Sequence, residues 1–363
     1  MISLPMRWAR MMISRDPVSG GAGQRSDSLK RYLRVAVTVA LIASLTACAP
    51  NATDPTAKLP FTFIRDVPLP GGSTRLDYQV IDPAAGRLYI THLGDGTVHV
   101  LDVTGPSVMA TIDGVSSVHG IALAADRHRV LASASGTDEA VIIDTDSLHV
   151  VGRLPTGHAP DGIAYDSIHG KAFVSNEHDH VETVIDMAAG TASQSIDIGG
   201  EAGNTVFDPV SGNIMINVQT TNQLLTVNPA TNQITGRVNV TGCESNHGLY
   251  IDGADRMAFV ACEGNAKLLV VDLDSGQTTA RIDVGDGPDV LAYDTGLHRL
   301  YVASESGVVS VLDVQGKALR ALAQSHLADG AHTVAVDQAT HRVYFPLENV
   351  NGKPVLRVME PTR

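Results

Sequence analysis

Asp161-Gly162-Ile163-Ala164-Tyr165-Asp166-Ser167-Ile168-His169-Gly170-Lys171-Ala172-Phe173-Val174-Ser175 reads as two short apolar runs joined by an acidic turn. The runs are β-branched or aromatic, four to seven residues long and bounded by Gly, Asp or Ser, so each is expected to be a strand. Val181–Asp186 and Ala192–Ile198 follow as a third and a fourth run. The same phrase starts again at Asp77, His119, Gly203, His247, Asp289 and His332, about 42 residues apart. A repeat of that length with four strands per unit predicts an all-β, seven-bladed β-propeller of four-stranded blades. The last repeat runs out after its third strand, Val355–Met359, and Phe61–Val67 can supply the fourth by pairing with it. Such closure removes the unpaired sheet edges of an open array.

Outward from the core phrase, second strands recur as Leu88-Tyr89-Ile90, Ala172-Phe173-Val174, Ala258-Phe259-Val260, Leu300-Tyr301-Val302 and Val343-Tyr344-Phe345. Third strands end in Asp, as in Val100-Leu101-Asp102 and Val184-Ile185-Asp186. These phrases resemble the YVTN repeats of bacterial YncE-like seven-bladed propellers over residues 61–360. The resemblance implies fold more than function. A WD40 signature is missing, because the one tryptophan, Trp8, precedes the repeats.

Residues 1–47 differ from the rest. Lys30, Arg31 and Arg34 precede the apolar run Val35–Leu45, which is too short to cross a bilayer as a helix and reads as a cleaved signal. Leu45-Thr46-Ala47-Cys48 resembles the bacterial lipobox, which implies lipidation of Cys48 and attachment to the membrane through the acyl chains alone. Residues 48–60 then form a tether, and residues 61–360 the propeller. Ala49 stands where Asp would imply inner-membrane retention, so the expected location is the outer membrane, facing the periplasm. Residues 1–47 hold seven basic and two acidic residues of the chain's 26 and 39, so the body is near −18, a field that attracts cations and repels nucleic acid. Some YncE-like proteins bind single-stranded DNA; too few basic residues are present here for that property to carry over.

In a propeller the first strands line the central channel, with their N-terminal ends at its mouth. The ring at the mouth should read Asp77, His119, Asp161, Gly203, His247, Asp289, His332, with Gly203 leaving a gap for a ligand. The residues just past the second strands should join it, and four of them are Glu177, Glu263, Glu305 and Glu348. Two carboxylates ~6 Å apart at an effective dielectric of ~20 repel by about 3 kcal/mol, which protonation, neighbouring imidazolium or a bound cation must offset. Imidazole and carboxylate together suit a divalent metal ion such as Zn, Mn, Fe or Mg. A polar mouth holding charge only for solubility is the plainer alternative.

The other histidines sort by face. His128, His298 and His341 share a turn position at the opposite end, whereas His92, His158, His178 and His180 belong to mouth-side loops. Cys243 and Cys262 should both fall on the mouth side of blade five. They read first as a disulfide in an oxidising compartment, with a soft metal site shared with His247 or two free thiols as alternatives. His119-Gly120-Ile121 and His247-Gly248-Leu249 resemble the His-Gly start of streptogramin-lyase propellers, in which His and Glu hold a divalent metal. Here the candidate Glu falls one position later. The first functional expectation is therefore a non-enzymatic, monomeric binding or scaffold module for a cation, small ligand or protein partner. A metal-dependent lyase or hydrolase is the second.

Overall fold

The computed structural model describes residues 58–362. The expected signal peptide, Cys48 and most of the expected tether lie outside the described residues. Seven four-stranded antiparallel sheets follow one another along the chain, and no α-helix is present among the described residues. Blade three is typical: Pro160–Asp166 is innermost, followed by Lys171–Asn176, Val181–Asp186 and Thr191–Asp197 at the rim. Blade seven orders its strands as Ala335–Val336, Val343–Val350, Lys353–Pro361 and, outermost, Phe61–Pro68. The last of these pairs from Phe61↔Pro361 to Pro68↔Val355, so the N-terminal strand closes the ring. Phe61 fixes that strand by packing on Tyr301 and Phe345, with ring centroids 5.6 and 5.8 Å away. Among the described residues, the strands of all seven blades lie within residues 61–361.

Local chemistry explains the repetition. Between first and second strands the chain needs a residue in the left-handed region, and Gly86, His128, Gly170, Gly212, Arg256, His298 and His341 all supply it, with φ between 50° and 70°. The position is therefore a turn requirement, met by Gly at no steric cost and by the other side chains at some cost. The acid ahead of it builds the turn: Asp82 Oδ1 accepts from the amides of Ala84 and Ala85 at 3.0 Å, and Asp166 Oδ1 from Ile168 at 2.8 Å. The core lies between blades, where Tyr89, Phe173, Phe259, Tyr301 and Tyr344 occupy equivalent second-strand positions and are wholly buried.

Candidate functional site

Five of the seven inner strands carry a register shift at their mouth end, between Val118 and Ile121, Pro160 and Ile163, Ala202 and Thr205, Asn246 and Leu249, and Pro288 and Leu291. Each shift skips the first two residues of the repeat phrase. Such β-bulges free a residue from the ladder and re-aim its side chain. The small second residue lets the next blade approach: a Cβ on Gly120 would stand 2.3 Å from the Asp161 carbonyl, and one on Gly248 1.9 Å from that of Asp289.

The ring residues form one polar network. His119 Nδ1 lies 2.9 Å from Asp77 and 3.4 Å from Asp161, His332 Nε2 is 3.6 Å from Asp77, and His247 Nε2 is 3.3 Å from Asp289. The three aspartates are nearly inaccessible, at 1, 6 and 5% exposure for Asp77, Asp161 and Asp289. A cavity of about 210 Å³ opens above them, with Glu177, Glu201, Glu263 and Glu305 among its walls. His332 lies beneath it, fully buried, and Glu348 is not among its lining residues.

Three lining residues, Arg75, Tyr78 and Glu201, fall outside what the repeat phase indicates. Arg75 comes from the loop before blade one, with Nη2 2.8 Å from Glu305, 3.7 Å from Asp77 and 3.8 Å from Asp289. It supplies part of the compensation that the sequence left to a bound cation. Tyr78 crosses the channel from blade one; its hydroxyl donates to Asn204 Oδ1 in blade four and sits 3.2 Å from His247 Nε2 in blade five. In a seven-membered ring those blades stand opposite blade one, so the phenol is a bar across the full diameter. Gly203 does not leave the expected gap. A Cβ there would meet the Asn246 carbonyl at 2.9 Å and His247 Cα at 3.0 Å, so blade-five backbone fills the space.

Electrostatics split the mouth in two. On the Arg75 side, burial works against ionisation of Asp77, but the His119 and His332 imidazoles beside it and the Arg75 charge outweigh it and hold this carboxyl well below its usual range. His332 is raised for the reciprocal reason, its pairing with Asp77 exceeding the penalty of burial. On the other side, burial and the neighbouring Asp161 push Glu177 up to about 7, and burial raises Asp161 itself. Burial disfavours a charged His247, yet its hydrogen bond to Asp289 and the charges of Asp289, Asp161 and Glu263 raise it to about 10. Buried polar atoms without a hydrogen-bond partner occur on both sides, Asp161 Oδ2 and His247 Nδ1 here and both Asp77 oxygens and both His332 nitrogens on the Arg75 side.

The three histidines do not converge on one point. Ligand atoms come within 4.8 Å of one another in three separate groups, Asp77/His119/Asp161, Asp77/Asp289/His332 and Asp161/Glu177/His247, each with a single imidazole. Glu263, Glu305 and Glu348 enter none of them.

Cys243 and Cys262 are joined by a disulfide, with Cα atoms 5.2 Å apart. Their sulfurs are thus bonded to each other and not available as metal ligands. The bridge ties the loop before His247 to the strand end before Glu263. Asp179 is spent on the His158 amide at 2.7 Å, and the His178–His180 stretch is not among the ligand groups of the described residues. His92 is not a loop residue but the buried end of Arg87–His92, bonded through Nδ1 to His99 at 3.0 Å.

No protein-family model and no curated protein matches this chain. Solved structures do. Hydrazine synthase of Kuenenia stuttgartiensis aligns with a TM-score of 0.68 at 14% identity, covering 79% of this chain and 96% of that one. The structure of U3-55K aligns at 0.69 and 11% identity, covering 82% and 98%. The WD40 repeats of RRP9 align at 0.70 and 10%, covering 84% and 99%. At such identities the likeness is one of fold, and this chain is a seven-bladed β-propeller.

Proposed function

We propose that this chain is a YncE-like, YVTN-repeat lipoprotein of the bacterial cell envelope, anchored through Cys48 and facing the periplasm, whose channel mouth binds a divalent cation through Asp161, Glu177 and His247. The fold is consistent with a binding or scaffold module, and propellers as a class leave function to the site. The observation that carries the cation is the Asp161/Glu177/His247 group, whose ligand atoms lie within 4.8 Å of one another with no Arg75 contact to offset them, and in which Asp161 Oδ2 and His247 Nδ1 are buried without a partner. Asp289 and Tyr78 lie 3.3 and 3.2 Å from His247 Nε2, an arrangement that fixes the ring and leaves Nδ1 free of protein partners. One imidazole with two carboxylates suits Mn, Fe, Zn or Mg better than soft metals.

Calorimetric titration of the demetallated body, residues 58–363, with Mn²⁺ and Zn²⁺ tests the site. Binding by the wild type should weaken at least about tenfold in His247→Ala and in Asp161→Asn, with His128→Ala unchanged. Because the ion must displace the His247 proton, affinity should fall about tenfold per pH unit on acidification, and more steeply below about 7 where Glu177 also holds a proton. No binding by the wild type, or equal binding by all variants, overturns the site. A lyase or hydrolase is the second reading, favoured by Glu177 exchanging its proton near neutrality. It requires a Glu177→Gln protein that keeps the ion and loses turnover.

A further inference from the structure

The loop that carries Arg75 to the mouth is fastened from behind. Three hydrogen bonds tie it to the 3-10 turn Leu93–Asp95. Asp95 accepts from the Gly72 amide and from the Thr74 hydroxyl, each at 2.7 Å, and the Gly94 amide donates to the Arg75 carbonyl at 3.1 Å. The fit is close, since a Cβ on Gly71 would stand 2.2 Å from Asp95 Oδ2 and one on Gly94 2.4 Å from Thr74 Cβ. Behind Thr74 lie two buried imidazoles, His92 and His99, 0 and 1% exposed.

Their hydrogens can be assigned. The Thr74 hydroxyl gives its one hydrogen to Asp95, so toward His92 Nε2, 2.9 Å away, it can only accept. His92 therefore carries its hydrogen on Nε2, and its Nδ1 accepts from His99 Nε2 at 3.0 Å. His99 Nδ1 in turn accepts from the Thr111 hydroxyl at 3.1 Å. All hydrogens point one way, from Thr111 through two neutral rings to Asp95. A first added proton needs the His99 and Thr111 hydrogens to turn round, and a second sets N–H against N–H. Burial accordingly holds both rings below their usual range, His99 at about 4 with the His92 charge as the next cause, while Asp95, 3.8 Å from His92 Nε2, opposes the fall. Among the described residues no other charged side chain acts on the pair. The strand Ser107–Ile112 beside His99 carries none, Arg87 and Asp102 pair at the opposite strand end, and Arg75 directs its guanidinium to Glu305, Asp77 and Asp289.

We propose that Thr74, His92 and His99 form an acid-released latch, which holds Arg75 in the mouth while both rings are neutral and lets its loop go when they are protonated. Freed imidazoles titrate near 6.5, above the latched value, so the latch is closed above about pH 6.5 and loosens as pH falls toward 4. Release takes the guanidinium away from Glu305, Asp77 and Asp289, whether or not the mouth holds a metal ion. Hydrogen exchange of the metal-free protein, read by mass spectrometry and corrected for the intrinsic rate at each pH, tests it. A peptide covering residues 70–78 reports the latch, and one covering Met257–Cys262 reports the fold. Protection of the first should fall about tenfold or more between pH 6.5 and 5, with the second unchanged. His99→Gln keeps a donor for His92 Nδ1 and does not titrate, so its protection should match the wild type at pH 7.5 and fall about threefold at most. Thr74→Val should lose about tenfold of the protection already at pH 7.5. Constant wild-type protection, or an equal fall in His99→Gln, overturns the latch. So does a fully protected Thr74→Val, or loss in both peptides together, which is acid unfolding of the whole ring.

Discussion

At the mouth, the first residue of nearly every inner strand carries or can carry charge, and Asp77, His119, Asp161, His247, Asp289 and His332 meet there. Two or three residues further along the same repeats, around a cavity at the other end of the channel, the lining becomes Val80, Leu291 and Val334, and its single carboxylate, Asp337, is turned into its own hairpin. One end is thus assembled by charge pairing over buried aspartates and the other by apolar contact around a space. The bulges account for the contrast. They release the first residues from the ladder and turn them to the axis, whereas the residues beyond resume ordinary alternation. A strand of seven residues can therefore serve two chemistries.

Both ends depend on the closed ring, so deleting Phe61–Val67 should have the largest effect. It would strip the Lys353–Pro361 edge of its partner and uncover Tyr301 and Phe345, and aggregation or loss of a cooperative thermal transition should follow. A stable monomeric deletion would show that the two ends do not share this dependence. Asp77→Ala comes next. It leaves His119, His332 and Arg75 without their common partner, and urea unfolding should register a loss of about 3–5 kcal/mol, that of a broken buried ion pair. Leu291→Ala at the far end should cost less, about 2 kcal/mol, because the side chain already borders a cavity. Reversal of that order would mean the apolar end is the better packed.

The ends should also differ in pH response. In metal-free protein His247 keeps its proton to about pH 10, whereas the unfolded chain gives it up near 6.5. The stabilisation is complete below pH 6.5 and is lost as pH rises through 10. Glu182, which burial lifts from 4.5 to about 8, contributes a decline of the same sign that ends near pH 8. Between pH 8 and 10 His247 contributes a slope of up to about 1.4 kcal/mol per unit. His247→Gln should flatten it, and Leu291→Ala should not. The smallest effect is expected on the outer face, where His128→Gly should change stability by within about 0.5 kcal/mol, since the exposed turn already has φ of 53°.

The blades were legible because each hairpin must solve the same turn problem, and an Asp four residues ahead of a left-handed residue solves it in six of the seven, with Ala124 in its place in blade two. The ring at the mouth was legible for the same reason, since equal phase places residues at equal height. What stayed hidden were groups that reach the site out of phase. Arg75 precedes the first strand, and nothing in a repeat register assigns a loop to an opening. Tyr78 did leave a trace. Its position is held by Gly120, Gly162, Asn204, Gly248, Val290 and Thr333 elsewhere, and one large side chain among six smaller ones is a signal. The segregation of the histidines into three groups was not readable, because it depends on which carboxylate each ring meets across the channel. Gly203 misled because a missing side chain was taken as space, while the neighbouring backbone occupies it.

The clasp that joins Phe61–Pro68 to Lys353–Pro361 also orders events in time. The partners of this one pairing lie almost three hundred residues apart. A chain made or exported N-terminus first presents its closing strand at the outset and its acceptor at the end, so the strand must wait unpaired through the formation of six blades. Contacts of such long range are slow to form. During that wait the ring is an open arc with sticky edges. Helpers that hold unfinished β-sheet would meet this protein chiefly at that stage, because once the last strand arrives only the short outer edges of the blades remain.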